Sequence, residues 1–352
     1  MNTRSWLTLF LLPFSWLYGL ILYVRNWCFD SGIFHSERIP IPVIAVGNIT
    51  AGGTGKTPFV EYLVRLLLQR GRRIAVVSRG YRRSTRGTFI VSDGIKKYGS
   101  ANQTGDEPMQ LALKFPDVAV VVDENRVRGS FVAIQQSKPD VIILDDGFQH
   151  RAIERDCDIL MIDGTMSLSG MRMIPAGKRR EPLSSLRRAD MTVVSRTAIS
   201  PELKKLICHY SSSPMASVRF RPKKLVDIVS RRTFEFSDFH HNRCIAFCGI
   251  GNPESFATTL SETGLTSVEV MRFPDHRNYS IEDIHNIKHK ALENEVSMII
   301  TTEKDAVRMA PELLRDFSDS IRLFFIEIEA VVTEGEEHLL DLIESIFDKQ
   351  RR

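Results

Sequence analysis

Five residues of the stretch VGNITAGGTGKTP (46–58) have the types and order needed to hold phosphate: Gly52, Gly53, Gly55, Lys56 and Thr57. Glycines lack Cβ, so successive backbone N–H groups can converge on phosphate oxygens. A lysine at this place puts a point charge on the β- and γ-phosphates, and the hydroxyl that follows it is a ligand for Mg²⁺. The usual motif has Gly where this chain has Thr50, which costs little if the backbone there avoids positive φ. The nucleotide contact set is therefore Thr50, Ala51, Gly52, Gly53, Thr54, Gly55, Lys56 and Thr57.

Phosphate-loop chemistry also needs a carboxylate at the tip of a neighbouring strand to hold Mg²⁺. VIILDDGFQH (141–150) supplies Asp145 and Asp146 after four apolar residues. Adjacent side chains on a strand tip point different ways, so one can serve metal and the other substrate or a lysine. Transfer to an alcohol needs a carboxylate or imidazole near the attacking hydroxyl. TGDEP (104–108) places Asp106 and Glu107 in a turn bounded by Gly and Pro, and FPDHRNYS (273–280) places His276 beside Asp275. Each also reads, with equal weight, as a capped turn or a surface loop.

These residues require elements that present them together. PVIAV (42–46) reads as a buried strand, and Thr57 to Gln69 as a helix with Leu63, Leu66 and Leu67 on one face and Gly71 as its stop. Continuous apolar runs at 73–78, 117–122, 140–145, 157–163 and 191–195 are further strands, some separated by helical patterns such as 125–136. Strands of that kind alternating with helices predict a parallel sheet covered on both faces. Around 209–232 the texture alternates polar and apolar, as in an extended connector or a ribbon of strands. Alternation of strand and helix resumes with runs at 244–251, 267–273, 297–302 and 322–330. The fold class expected is α/β, a P-loop NTPase-like domain (29–215), a connector (216–232) and a second, smaller α/β domain (233–352).

Residues 1–28 stand apart. From Trp6 to Val24 the chain carries no charge, a length close to the roughly 20 residues that span a bilayer core. Trp6, Trp16, Tyr18 and Tyr23 are amphipathic rings suited to the interface. Pro13 interrupts the run, so spanning and lying in the interface both remain open. No small-residue cleavage site follows, which argues against a signal peptide. The net charge of +4 over 352 residues fits an anionic surface without requiring one. The basic run from Arg172 to Arg188 could attract phosphate or anionic head groups, and reads equally as a solvated loop. Five cysteines in no zinc or disulfide pattern indicate a reducing compartment.

The loop also has the Gly-Gly-x-Gly-Lys-Thr of partition-type ATPases, which makes a membrane-associated switch ATPase regulating a partner the rival reading. Their signature lysine would fall at position 51, and this chain has Ala51.

In order, GNITAGGTGKTP, SRGYRR (78–83), GDEP (105–108), LDDGFQHR (144–151), IPAGKRREPLSSLRRAD (174–190), GIGNPESF (249–256), FPDHRNYS and TTEKDAVR (301–308) resemble the motifs of the tetraacyldisaccharide 4′-kinase family across nearly the whole chain. AGKRREPL departs from the family's commoner AGPLREPL. The resemblance implies an ATP- and Mg²⁺-dependent transferase of lipid A biosynthesis. It would phosphorylate the 4′-hydroxyl of an acylated disaccharide 1-phosphate to form lipid IVA, at the cytoplasmic face of the inner membrane. It implies neither a nucleic-acid partner nor an obligate protein partner. Carried onto this chain, it makes Lys56, Asp106 and His276 catalytic. Asp106 would be the base and His276 the residue that raises its basicity. The metal set would be Thr57, Asp145, Asp146 and Glu107.

Overall fold

The computed structural model describes residues 3–239, 242–315, 317 and 320–348; the side chains of residues 3–8, 169 and 170 lie outside that description, Arg4 and Trp6 among them. Helix α1 (Thr3–Asp30) leads into strand β1 (Val43–Gly47), which is buried throughout. Next come α2 (Lys56–Gln69), β2 (Ile74–Ser78), β3 (Phe89–Asp93), α3 (Ala101–Thr104), α4 (Asp106–Lys114), β4 (Ala119–Val122), α5 (Arg126–Ser137) and β5 (Val141–Asp145). Strands β6 (Cys157–Asp163) and β7 (Met191–Ser195), helix α6 (Pro201–Tyr210) and the long β8 (Met215–Asp227) follow. The later part holds β9 (Thr233–Phe234), β10 (Arg243–Cys248), α7 (Pro253–Ser261), β11 (Thr266–Arg272), α8 (Ile281–Glu293) and β12 (Met298–Thr302). It ends with α9 (Glu303–Arg308), α10 (Pro311–Leu314), β13 (Arg322–Glu334) and α11 (Glu336–Asp348).

Among the described residues the strands form one sheet in the order β11-β10-β12-β13-β8-β7-β6-β1-β5-β2-β4-β3, with β9 paired to β8. From β7 to β4 every pairing is parallel, and so is every pairing from β11 to β13. β8 joins the two runs, parallel to β7 and antiparallel to β13. The expected connector is thus mostly a strand: β8 spans 13 residues, and its alternating burial is the source of the alternating texture. A strand wet on one side reads as a ribbon until its partner is known.

The cores follow from the apolar faces. Phe59, Leu63 and Leu67 of α2 pack on the sheet with Met109 and Leu111 of α4. Leu339, Ile343, Ile346 and Phe347 of α11 join the same core, so the last helix covers the first half of the sheet. Each such side chain contributes about 1.5–3 kcal/mol when fully buried. Val127, Phe131 and Ala133 of α5 cover the opposite face. The α8 side of the later strands has its own core around Phe247, Ile284, Ile287 and Phe325.

Candidate active site

β1 ends at Gly47, and the turn that follows delivers α2 at Lys56. Gly55 adopts a left-handed φ of 81°, and a Cβ there would run into the Phe220 ring of β8. No side chain caps α2, so its first N–H groups point into the loop unpaired by a cap, a ready anion site. The loop is tethered from outside. Ser195 Oγ donates to Thr54 O at 2.8 Å, Arg196 donates to Gly53 O at 2.7 Å, and the Ala51 N–H donates to Lys178 O at 2.6 Å. Asn48, fully buried, donates through Nδ2 to Thr54 Oγ1 at 3.1 Å.

Lys56 Nζ lies 3.2 Å from Asn48 Oδ1 and 3.3 Å from Asp146 Oδ1. Asp146 turns out of the β5 tip at a left-handed φ of 52° and also takes Arg180 at 3.0 Å. Burial works against its ionisation, but Lys56 and then Arg180 outweigh it and hold the carboxyl well below the usual range. Asp145 is the opposite case. It is buried, its Oδ1 meets no partner, and Ser78 Oγ donates weakly to Oδ2 at 3.4 Å. Burial first, then the neighbouring Glu107 and Asp146 charges, push its carboxyl up to about 7. Thr57 is buried at the start of α2.

Glu107, in the first turn of α4, receives Lys304 of α9 at 2.5 Å, and that charge holds its carboxyl down against the effect of burial. TGDEP is therefore the opening of a helix rather than a free turn. Gly105 caps it at φ 91°, where a Cβ would press on the backbone of Gly80 and Tyr81 at 3.1 Å. Asp106 begins α4. Its Oδ2 lies 2.8 Å from His276 Nδ1 and accepts from Arg308 Nε at 2.8 Å. His276 has φ 62° and its N–H donates to Gly249 O at 3.1 Å. Arg308 is nearly inaccessible and also donates to Gly249 O at 2.7 Å and Asp305 Oδ1 at 3.1 Å. Asp305, fully buried, accepts from Tyr279 OH at 2.9 Å, Thr302 Oγ1 at 2.6 Å and the Gly249 N–H at 3.1 Å. The Asp106–His276 pair is thus fixed from behind by an arginine that is itself fixed.

The structure brings Lys56, Asp145, Asp146 and Glu107 within electrostatic reach of one another, with the Asp106–His276 pair next to Glu107, near the C-terminal ends of β1 and β5, where open α/β sheets bind ligands. Two of the proposed metal ligands are engaged otherwise, Asp146 with Lys56 and Arg180, and Glu107 with Lys304. Among the described residues no group of three or more His, Cys, Asp or Glu is arranged to hold a metal ion.

The model of the family described as tetraacyldisaccharide-1-P 4′-kinase matches residues 7–347. The chain belongs to that family. A tetraacyldisaccharide 4′-kinase of Chlorobium phaeobacteroides is 37% identical over 96% of this chain and 97% of its own length. One of Geobacter metallireducens is 38% identical over 85% of this chain and 87% of its own. The LpxK protein of Aquifex aeolicus, solved in complex with ATP, superposes with a TM-score of 0.80 at 35% identity, covering 98% of this chain and all of that one. These findings bear out the resemblance, the α/β fold and the kinase reading over the switch-ATPase rival.

In this family member, reading the sequence missed Asn48, Lys304, Asp305 and Arg308 as parts of the site. TTEKDAVR had been singled out as a motif, and its spacing already carried a signal. Lys304 and Arg308 stand four apart on α9 and share a face, and that face meets the first turn of α4. The basic run also divides. Arg180 turns inward to Asp146, and Arg188 stacks 4.5 Å over the Phe148 ring, while Arg172, Lys178 and Arg187 are exposed.

Proposed function

We propose that the chain transfers the γ-phosphoryl group of ATP to the 4′-hydroxyl of tetraacyldisaccharide 1-phosphate, working at a membrane surface. One observation carries the residue roles: Asp106 and His276 come from opposite halves of the chain, 170 residues apart, and meet at 2.8 Å beside Glu107, whose carboxyl feels the Lys56 charge. A switch ATPase needs no such pair. In this reading Lys56 and the loop N–H groups of residues 50–57 hold the triphosphate. Lys56 must leave Asp146 for the phosphates, and Arg180 then keeps Asp146 ionised. Asp106 takes the proton of the attacking hydroxyl, and His276 and Arg308 hold it in one orientation toward that hydroxyl.

Asp145 and Thr57 fit a divalent cation by their chemistry: Asp145 Oδ1 is a buried carboxylate oxygen without a partner, and Thr57 supplies a hydroxyl at the start of α2. Bound there, Mg²⁺ would neutralise phosphate charge. Asp146 or Glu107 would join it only after releasing its own cation.

Membrane association rests on α1. Its segment Leu9–Asp30 is long and apolar enough to cross a bilayer. Phe10, Phe14, Trp16, Leu17, Leu20, Ile21 and Tyr23 are exposed on it, whereas Ser15, Leu22 and Asn26 are buried against the body. A helix bonded to protein along one face suits one leaflet of the inner membrane, in the interfacial mode. Residues 29–215 and 233–352 act in this proposal as two domains hinged at β8 and β13, closing Asp106 and His276 onto the acceptor.

The test is direct. Protein incubated with ATP, Mg²⁺ and the disaccharide monophosphate should yield a bisphosphorylated lipid stoichiometric with ADP. ATP hydrolysis without that product would sink the proposal.

A further inference from the structure

The polar side chains of α1 bind the protein, and most of them bind one particular place; Arg25 also donates to Gln149 O and Asn26 to Ser185 Oγ. Ser15, Tyr18, Leu22, Arg25 and Asn26 recur at three- and four-residue spacing and so share a face. Ser15 Oγ donates to Met173 O at 3.1 Å and accepts from the Ala176 N–H at 3.0 Å. Tyr18 OH donates to Arg180 O at 3.2 Å. Asn26 Nδ2 donates to Glu181 Oε2 at 3.1 Å. Met173, Ala176, Arg180 and Glu181 lie in one strap, residues 173–181.

The other edge of the strap is paired with the phosphate loop. The Arg180 N–H donates to Ile49 O at 2.6 Å, the Ala51 N–H donates to Lys178 O at 2.6 Å, and Thr50 and Arg179 form an antiparallel bridge. The strap is closed on itself by Gly177 N–H to Met173 O at 2.8 Å, Ile174 N–H to Arg179 O at 3.0 Å and Arg179 N–H to Arg172 O at 2.9 Å. A loop so closed moves as a unit. Arg180 is gripped on both sides, its N–H by the phosphate loop and its carbonyl by Tyr18, while its guanidinium reaches Asp146 and Asn48. Those are the two residues that hold Lys56.

We infer that Ser15 and Tyr18 are positioning residues, through which the docking of α1 sets the strap and the strap sets the phosphate loop. Nucleotide affinity then depends on a helix whose outer face meets lipid. The inference rests on the reading that the loop binds ATP, but not on the identity of the acceptor.

The experiment uses the full chain. The double variant Ser15→Ala, Tyr18→Phe removes two hydroxyls and leaves the outward apolar face intact. Binding of a fluorescent ATP analogue with Mg²⁺ is measured by titration, and partition into phosphatidylethanolamine–phosphatidylglycerol vesicles by flotation. The loss of these bonds should raise the analogue's Kd about fivefold or more while partition changes less than about twofold. Ser15→Thr, which keeps the hydroxyl, should bind like the wild type. A double variant that binds the analogue as tightly as the wild type overturns the inference. So does an equal loss of both readouts, which signals a collapsed helix. Wild-type protein that binds no analogue would remove the nucleotide reading beneath it, whereas failure to phosphorylate the lipid would leave it standing.

Discussion

At the scale of residues, the two aspartates at the β5 tip show how one fold assigns different states to adjacent carboxyls. Asp146 faces two cations and stays ionised, whereas Asp145 faces the interior, and burial raises its carboxyl to about 7. Lys56→Ala should abolish most turnover in a product assay, because it removes the cation proposed to face the phosphates and frees Asp146 from one of its two cations. Asp106→Asn keeps the contacts to His276 and Arg308 but removes the proposed base. It should cut kcat by about 100-fold or more, with ATP affinity by titration nearly unchanged. Loss of ATP–Mg²⁺ binding in that variant would show that Asp106 is a metal ligand.

At the scale of elements, three helices are brought to bear on one point, and a buried ionic node sets their relation. Lys114, at the end of α4, lies 2.7 Å from Glu61 of α2, 3.1 Å from Glu303 of α9 and 3.3 Å from Glu327 of β13. Gln110 and Arg65 also face Glu61. Each helix carries a site residue at or near its start: Lys56 on α2, Asp106 on α4, Lys304 on α9. Burial and the Glu61 charge push Glu303 up to about 8. Its folded value exceeds its unfolded value, so the folded state binds the extra proton. Stability from this group is full below the unfolded value near 4.5 and is lost as pH rises toward 8. Glu303→Gln should flatten that loss, by up to about 3 kcal/mol in chemical denaturation compared at pH 5 and pH 8. An unchanged pH slope would mean that Lys114 keeps Glu303 ionised throughout.

At the scale of the whole molecule, β8 and β13 join the halves through a pair of 13-residue antiparallel strands, and α11 returns to the first core. Two halves of the chain sharing a sheet and a helix should unfold together, so calorimetry should give one transition; two resolved transitions would contradict this coupling. The apolar outer face of α1 is a second property of the whole. Trp16, exposed to 74%, and Leu20, exposed to 59%, face outward. Trp16→Ala with Leu20→Ala should weaken vesicle partition by about tenfold or more in flotation assays, given about 25 cal/mol per Å² of apolar area.

The phosphate loop, the β5 carboxylates, the alternating strands and the apolar helix are legible in the chain, because each is a local pattern of spacing, chain flexibility or hydropathy. Asp106 and His276 were legible as chemically able residues, yet each read equally well as part of a turn. Only the tertiary structure decided that they meet, since 170 residues separate them and their contact depends on where α4 and the 273–280 loop are packed. It also decided that Arg308, Asp305 and Asn48 belong to the site, that the connector is a strand, and that α1 is docked through its polar face. Those outcomes are set by partners distant in the chain, and a side chain's charge, burial and neighbours exist only once the sheet has brought those partners together.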